Sequence, residues 1–361
     1  MTTSSRKWDH IRICLERSVE TEYRPFEDLM LLHKALPEID EEEIDIGCTF
    51  LGRSVKAPIM ITAMTGGHPD TQEINMNLAR AAQEVGVALG LGSQRAALED
   101  PGQEETFFLV RDIAPDIPLV GNIGAAQLGS FGPQVLDRLA EMVDADAIAI
   151  HLNFLQESIQ PEGDTDASGI LEAINSAQSP VPLIAKETGA GISKEVAINL
   201  INAGVKIIDV SGVGGTSWSA VEAVRAKEAK DRMSHHMGEI FRNWGIPTPV
   251  SVVECVSAGA EVISSGGVRS GMDIAKSLAL GASMAGVALP LLKPAIRGPK
   301  EVEKILREYI RGLKISMFLT GCQDLCDIRS APVMIMGKSR EILEYRGFDT
   351  RKFSVYREMA R

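Results

Sequence analysis

Short, fully apolar runs alternate along this chain with longer stretches whose apolar residues recur at helical spacing. The apolar runs predict strands at 58–64, 87–91, 118–123, 147–151, 182–186, 207–210, 262–265 and 285–289. Between them the pattern predicts helices near 71–85, 104–113, 133–143, 168–177, 193–203, 250–259 and 271–280, and a long helix near 299–318 follows the last strand. Eight strands with helical crossovers predict an α/β fold of the TIM type, a (β/α)8 barrel spanning about residues 57–319. A doubly wound open sheet is the rival architecture, but it would usually contain fewer repeats. An N-terminal extension, 1–56, precedes the first barrel strand, with a helix candidate around 24–36 and a hairpin through 44–55. A long insertion at 211–249 follows strand six, of a length that in compact domains usually marks a lid or an interface. A basic, polar tail runs from 320 to 361.

The polar residues at the strand ends carry the functional signal, because barrels of this kind place their chemistry at the carboxyl ends of the strands. The richest is strand four. Ala147 to Ile150 is apolar, His151 and Asn153 are two apart and share a side, and Gln156 and Glu157 follow where the chain turns away. Strand one ends Ala63-Met64-Thr65-Gly66-Gly67, strand two Gly92-Ser93-Gln94-Arg95 and strand three Gly121-Asn122-Ile123-Gly124. Strand five ends Lys186-Glu187, strand six Ser211-Gly212-Val213-Gly214-Gly215-Thr216, and strand seven Ser264-Ser265-Gly266-Gly267-Val268-Arg269. Any one of these is an ordinary loop; together they predict an active-site rim.

Composition narrows the possibilities. Apolar residues at 45% and charged residues at 24% suit a folded, soluble protein, and only 5% are aromatic, which disfavours stacking platforms. A formal charge of −12 argues against nucleic acid as a partner, although a local basic site can still capture a phosphate. Five cysteines, an odd number, suit a reducing compartment, and the lone Cys322-x-x-x-Cys326 pair argues against structural zinc. The sequence contains no apolar run approaching the length of a membrane span and no hydrophobic signal region, so a cytoplasmic protein without membrane attachment is expected.

Gly266-Gly267 lets backbone N–H groups approach an anion, and a helix beginning near Gly271 would aim its positive end at the same place, with Arg269 alongside. Lys186, on a buried strand, needs a partner. That partner is either a neighbouring carboxylate or the polar edge of a flavin. The basic run Arg6-Lys7-Trp8-Asp9-His10, if it folds over a barrel mouth, would bring two cations and a histidine to an anionic substrate, and Arg95 could reach the same anion. Gly337-Lys-Ser-Arg340 lacks the upstream glycine of a phosphate loop and reads as a surface element or subunit contact.

Taken together, these residues resemble the type 2 isopentenyl diphosphate isomerases, FMN-dependent (β/α)8 enzymes. The likeness runs from Arg6 to about Leu319. It rests on Arg6-Lys7-x-Asp9-His10, Met64-Thr-Gly-Gly67, Gly92-Ser-Gln-Arg95, His151-Leu-Asn-x-x-Gln156-Glu157, Gln160-Pro-Glu-Gly-Asp164, Gly212-x-Gly-Gly-Thr-x-Trp218 and Trp244-Gly-Ile-Pro-Thr248. The resemblance implies conversion of isopentenyl diphosphate to dimethylallyl diphosphate by a 1,3-proton shift, with reduced FMN, Mg2+, and NADPH acting only as flavin reductant. By the same likeness Ala63, Met64, Thr65, Ser93, Asn122, Lys186, Thr216, Gly266, Gly267, Arg269, Ala288 and Leu289 would hold FMN. Arg6, Lys7, His10, Ser93, Arg95, His151, Asn153 and Gln156 would contact substrate, and Glu157 would be the Mg2+ ligand. Gln156, Glu222 and His151 would be catalytic. Family members form tetramers or larger assemblies, so a homotetramer or homo-octamer is expected. Another FMN barrel, such as an α-hydroxy-acid oxidase, would share the Gly266-Gly267 loop but need no Gln156-Glu157 pair, and a non-catalytic phosphate-binding barrel would bind FMN without turnover.

Overall fold

A computed structural model describes residues 3–64, 68–128, 131 and 134–357. Eight parallel strands close into a barrel: β1 (Ile59–Ile61), β2 (Ala88–Gly90), β3 (Leu119–Gly124), β4 (Ala147–Leu152), β5 (Leu183–Glu187), β6 (Ile207–Asp209), β7 (Glu261–Ser264) and β8 (Met284–Val287). β8 pairs with β1 through Ala285 and Ile59, which closes the ring. Each predicted strand is present, and helices cover the outside.

Period-two alternation sorts each strand into an outward set packed on the helices and an inward set. Met60, Ala88, Val120, Ala147, Ala149, Ile184, Ile207, Ile263 and Met284 form one buried cluster inside the barrel. The predicted hairpin is present as Cys48–Phe50 paired with Arg53–Val55. Its Phe50 and Val55 join that inner cluster, and Arg53 meets Asp146, the residue before β4, at 2.5 Å. The hairpin therefore stoppers the amino-terminal end of the barrel. Two residues further along the strands the inward positions become polar, as Asn122, His151, Lys186 and Asp209, at the opposite end.

The stretch 24–36 is not helical. Pro25–Asp28 forms a single 3-10 turn, and Leu29–Leu31 is a strand paired antiparallel with Val333–Ile335 of the tail. Local spacing could not reveal a strand whose partner lies so far along the chain. The tail is thus woven into the fold, and Gly337–Tyr345 is a helix whose first turn is held by Asp28, which accepts the Ser339 N–H at 2.8 Å. An unanticipated helix, Thr3–Glu16, lies on the insertion, which itself folds as helices Trp218–Glu228 and Arg232–Ile240. Gly238 allows those two to cross closely, because a Cβ there would sit 2.7 Å from that of Ala223. Among the described residues no helix is long and apolar enough to cross a membrane.

Candidate active site

A single cavity at the carboxyl ends of the strands gathers most of the expected residues. Its lining includes Lys7 and His10 from the N-terminal helix, Ala63 and Met64 after β1, and Ser93 and Arg95 after β2. Asn122, His151, Asn153, Gln156, Glu157 and Lys186 come from β3 to β5 and the loops after them. Thr216, Gly266, Gly267, Arg269, Ala288 and Leu289 complete the far side. Thr65 and the Arg6 side chain lie outside the described residues. Glu222 is absent from the lining but 1% exposed directly behind it, bonded to Gln156.

Glu222 is the hub of one polar network. Its Oε1 accepts His10 Nε2–H at 2.8 Å and Gln156 Nε2–H at 2.9 Å, and its Oε2 accepts Arg225 Nη1–H at 2.5 Å. Burial alone would raise the Glu222 carboxyl, but the His10 hydrogen bond, the charges of His10 and Arg225, and the Gln156 amide together hold it below its ordinary value. Glu222 is therefore an anion at neutral pH, fixed against an amide that faces the cavity.

Glu157 is the hub of a second network. Its Oε1 accepts Asn153 Nδ2–H at 2.8 Å, while its Oε2 accepts the Asp164 N–H at 2.8 Å and the Gln160 side-chain amide. Gly163 is needed here, since a Cβ would run into the Glu157 carbonyl.

His151 Nδ1 meets Asn122 Oδ1 at 2.7 Å, so the ring donates there and offers Nε2 as an acceptor. The ring faces the cavity, yet desolvation, and then the charges of Lys186, Lys7 and Arg95, push its pKa down to about 3. It is a neutral imidazole. Lys186 pairs with Asp209 at 2.7 Å, in register on the next strand, and also lines the cavity. The carboxylate partner is real, and the ammonium stays available to a ligand edge.

The two glycine loops meet backbone to backbone. Gly266 and Gly267 have φ of 98° and 86°, and Cβ atoms there would collide with the carbonyls of Gly212 and Gly214. The expected helix end at Gly271 does not face the cavity. Ser270 and Asp273 of the chain itself cap it, and Gly271 packs against the helix Pro299–Thr320. The helix Leu289–Arg297 takes that place. It begins where strand eight was expected to continue, carries no side-chain cap among the described residues, and lines the cavity with Ala288 and Leu289. A short extra helix after the last strand, with uncapped N–H groups, suits a phosphate.

The sequence also has relatives of known name. A family model described as FMN-dependent dehydrogenase matches residues 133–334. The isopentenyl-diphosphate delta-isomerase of Methanothrix thermoacetophila is 60% identical, with 99% of this chain and 100% of the relative covered. That of Methanosarcina mazei is 50% identical over 98% of each. The chain belongs to the isopentenyl-diphosphate delta-isomerase family. It is an enzyme on a barrel shared more widely. A mandelate oxidase solved with an FMN adduct is 19% identical at a TM-score of 0.61, covering 93% of each chain. A lactate oxidase of Pediococcus acidilactici is 17% identical at 0.61, covering 92% of this chain and 88% of that one. These likenesses speak for the fold alone.

Cavity residues that the sequence reading passed over include Ile11, Cys14, Gln127 and Gln160. Only Gln160 carried a signal, as the head of Gln160-Pro-Glu-Gly-Asp164.

The donor set fits both implied groups. Lys186, the Gly266–Gly267 loop and the uncapped helix end give a flavin phosphate and ring edge somewhere to bind, with Arg269, whose guanidinium pairs with Glu20, alongside. Glu157 lines the cavity and its Oε1 accepts only the Asn153 amide among the described residues, and Mg2+ needs little more than one carboxylate when substrate phosphates and water complete its shell.

Proposed function

We propose that this enzyme interconverts isopentenyl diphosphate and dimethylallyl diphosphate by a 1,3-proton shift, with reduced FMN and Mg2+ bound and NADPH serving only to reduce the flavin. The observation that carries this reading is the hydrogen-bonded chain His10–Glu222–Gln156, its last two members buried, beside the separate Glu157 hub. It sets a neutral amide, backed by an anion, against one part of the substrate and a metal-ready carboxylate against another.

Each residue then has a part. Lys7, whose ammonium donates to the Ser93 carbonyl at 2.5 Å, and Arg95 supply positive charge for the diphosphate from two sides of the mouth. Glu157 holds Mg2+ against the same phosphates. Gln156 orients the alkene without quenching a cationic centre, and the Glu222 anion behind it stabilises positive charge developing on carbon. Neutral His151 accepts a hydrogen bond at Nε2 without bringing a second charge. An amide has no useful pKa for protonating carbon, so the bound reduced flavin supplies the acid–base chemistry. The helix Thr3–Glu16 closes over the mouth and keeps water from the cation.

Assembly into four or eight copies in the cytoplasm belongs to the same reading. Met233, Ile240 and Trp244, large apolar side chains exposed on the insertion, support it.

The test is anaerobic. Protein, FMN, NADPH, Mg2+ and isopentenyl diphosphate are combined in D2O and dimethylallyl diphosphate is followed by NMR. Deuterated product without stoichiometric NADPH loss is the expected result. Reduced flavin with no isomerised product would overturn the reading and point to an oxidoreductase on the same barrel.

A further inference from the structure

The run Gln160-Pro-Glu-Gly-Asp164 wraps Glu157 as a tight turn. The Gln160 carbonyl accepts the Gly163 N–H at 3.0 Å, Gly163 clears the Glu157 backbone, and both the Asp164 N–H and the Gln160 amide donate to Glu157 Oε2. That contact fixes the orientation of the Gln160 amide. Only the NH2 group can face a carboxylate oxygen, so the other end, Oε1, is an acceptor.

This acceptor is buried and has no partner among the described residues. Gln160 is 5% exposed, and Oε1 is one of three buried side-chain polar atoms without a partner among the described residues, the others being the acceptor Gln103 Oε1 and the donor Arg357 Nη1. Of the three residues, Gln160 alone lines the cavity of the active site. A buried acceptor left unpaired is costly, so a donor is expected from whatever fills the cavity. Phosphate oxygens are themselves acceptors and cannot serve. Nor does the carboxylate compete for the same donor from Oε2, which already carries two hydrogen bonds, whereas Oε1 takes the Asn153 amide alone among the described residues. A cation on Glu157 would find Oε1 the less occupied oxygen, and Mg2+ would keep several waters able to donate to an acceptor nearby.

We infer that Gln160 is a positioning residue for the divalent cation on Glu157, accepting at Oε1 a hydrogen bond from a water of the ion's shell while its amide N–H aims the carboxylate. The inference rests on the reading of Glu157 as the metal ligand. It accounts for a glutamine at 160, since donor and acceptor are needed at opposite ends of one short side chain.

The experiment is an EPR titration with Mn2+ of the FMN-loaded full chain at saturating isopentenyl diphosphate, in the wild type, Gln160→Met, Gln160→Glu and Glu157→Gln. Gln160→Met should weaken Mn2+ by about 10–100-fold with FMN content and melting temperature unchanged. Gln160→Glu, which keeps an acceptor but loses the donor and sets a second carboxylate against Glu157, should bind Mn2+ more tightly than Gln160→Met and less tightly than the wild type. Wild-type affinity in Gln160→Met overturns the inference. Equal loss in both Gln160 variants also overturns it, because Gln160 would then be only a strut for Glu157. If Gln160→Met does not fold, a loss of Mn2+ binding in Gln160→Glu as complete as in Glu157→Gln is decisive against it. Mn2+ binding indifferent to Glu157→Gln would instead remove the metal reading underneath.

Discussion

Glu222 takes hydrogen bonds from His10, Gln156 and Arg225, donors on three separate elements. Gln156→Ala should keep FMN and substrate binding while turnover falls about 100- to 1000-fold, the scale for losing one preorganised polar contact in a water-poor site. Steady-state kinetics by NMR checks this, and an undiminished rate would sink the role given to Gln156. His151 makes a pH prediction. The unfolded chain takes up this proton near pH 6.5 and the folded chain only near 3. Its stabilising contribution is therefore complete above pH 6.5 and is lost as pH falls towards 3, at up to about 1.4 kcal/mol per pH unit. His151→Gln should flatten that acid slope in chemical denaturation, and an identical slope would mean the ring is charged in the fold. At this scale the sequence was legible wherever period two applied. Asn122, His151 and Lys186 face inward because each sits an even number of residues beyond an apolar inward position. Gln160 and Cys14 escaped notice because a turn and an unrecognised helix carry them into the cavity, and neither announces itself by spacing.

Strands and their crossovers were legible for the same reason: buried parallel strands are short apolar runs, and eight of them leave few alternatives. The failures lie where pairing is non-local. Residues 29–31 became a strand through a partner in the tail, and strand eight stopped at Val287 because Leu289 opens a helix on the cavity. The meeting of the β6 and β7 loops makes its own prediction. Gly267→Ala must hold a positive φ and push its methyl group into the Gly214 carbonyl, at a cost of at least about 2 kcal/mol. Thermal melting with FMN quantitation should show a lower midpoint and loss of flavin. Full flavin at the wild-type midpoint would show that the loops can part without consequence.

Across the whole molecule, the tail is clamped to the barrel by one buried acid. Glu254 is 1% exposed and accepts Arg346 Nε–H at 2.8 Å, Arg346 Nη2–H at 2.9 Å and the Lys194 N–H at 2.7 Å. Arg346→Met would strand that carboxylate. The loss should be about 2–3 kcal/mol, at or just below the range for a broken buried pair because the guanidinium is partly in water. Arg346 does not line the cavity, so kcat and KM should stay as they are; a kinetic defect at full stability would contradict this placement. The pairing of Leu29–Leu31 with Val333–Ile335 has a consequence for how the protein is made. During translation the first of these strands leaves the ribosome about 300 residues before its partner, and so waits as an unsatisfied edge while the whole barrel is synthesised. Its closure must wait for residues 333–335 and has a very large sequence separation, so the nascent N-terminal segment presents an unpaired strand edge throughout that interval.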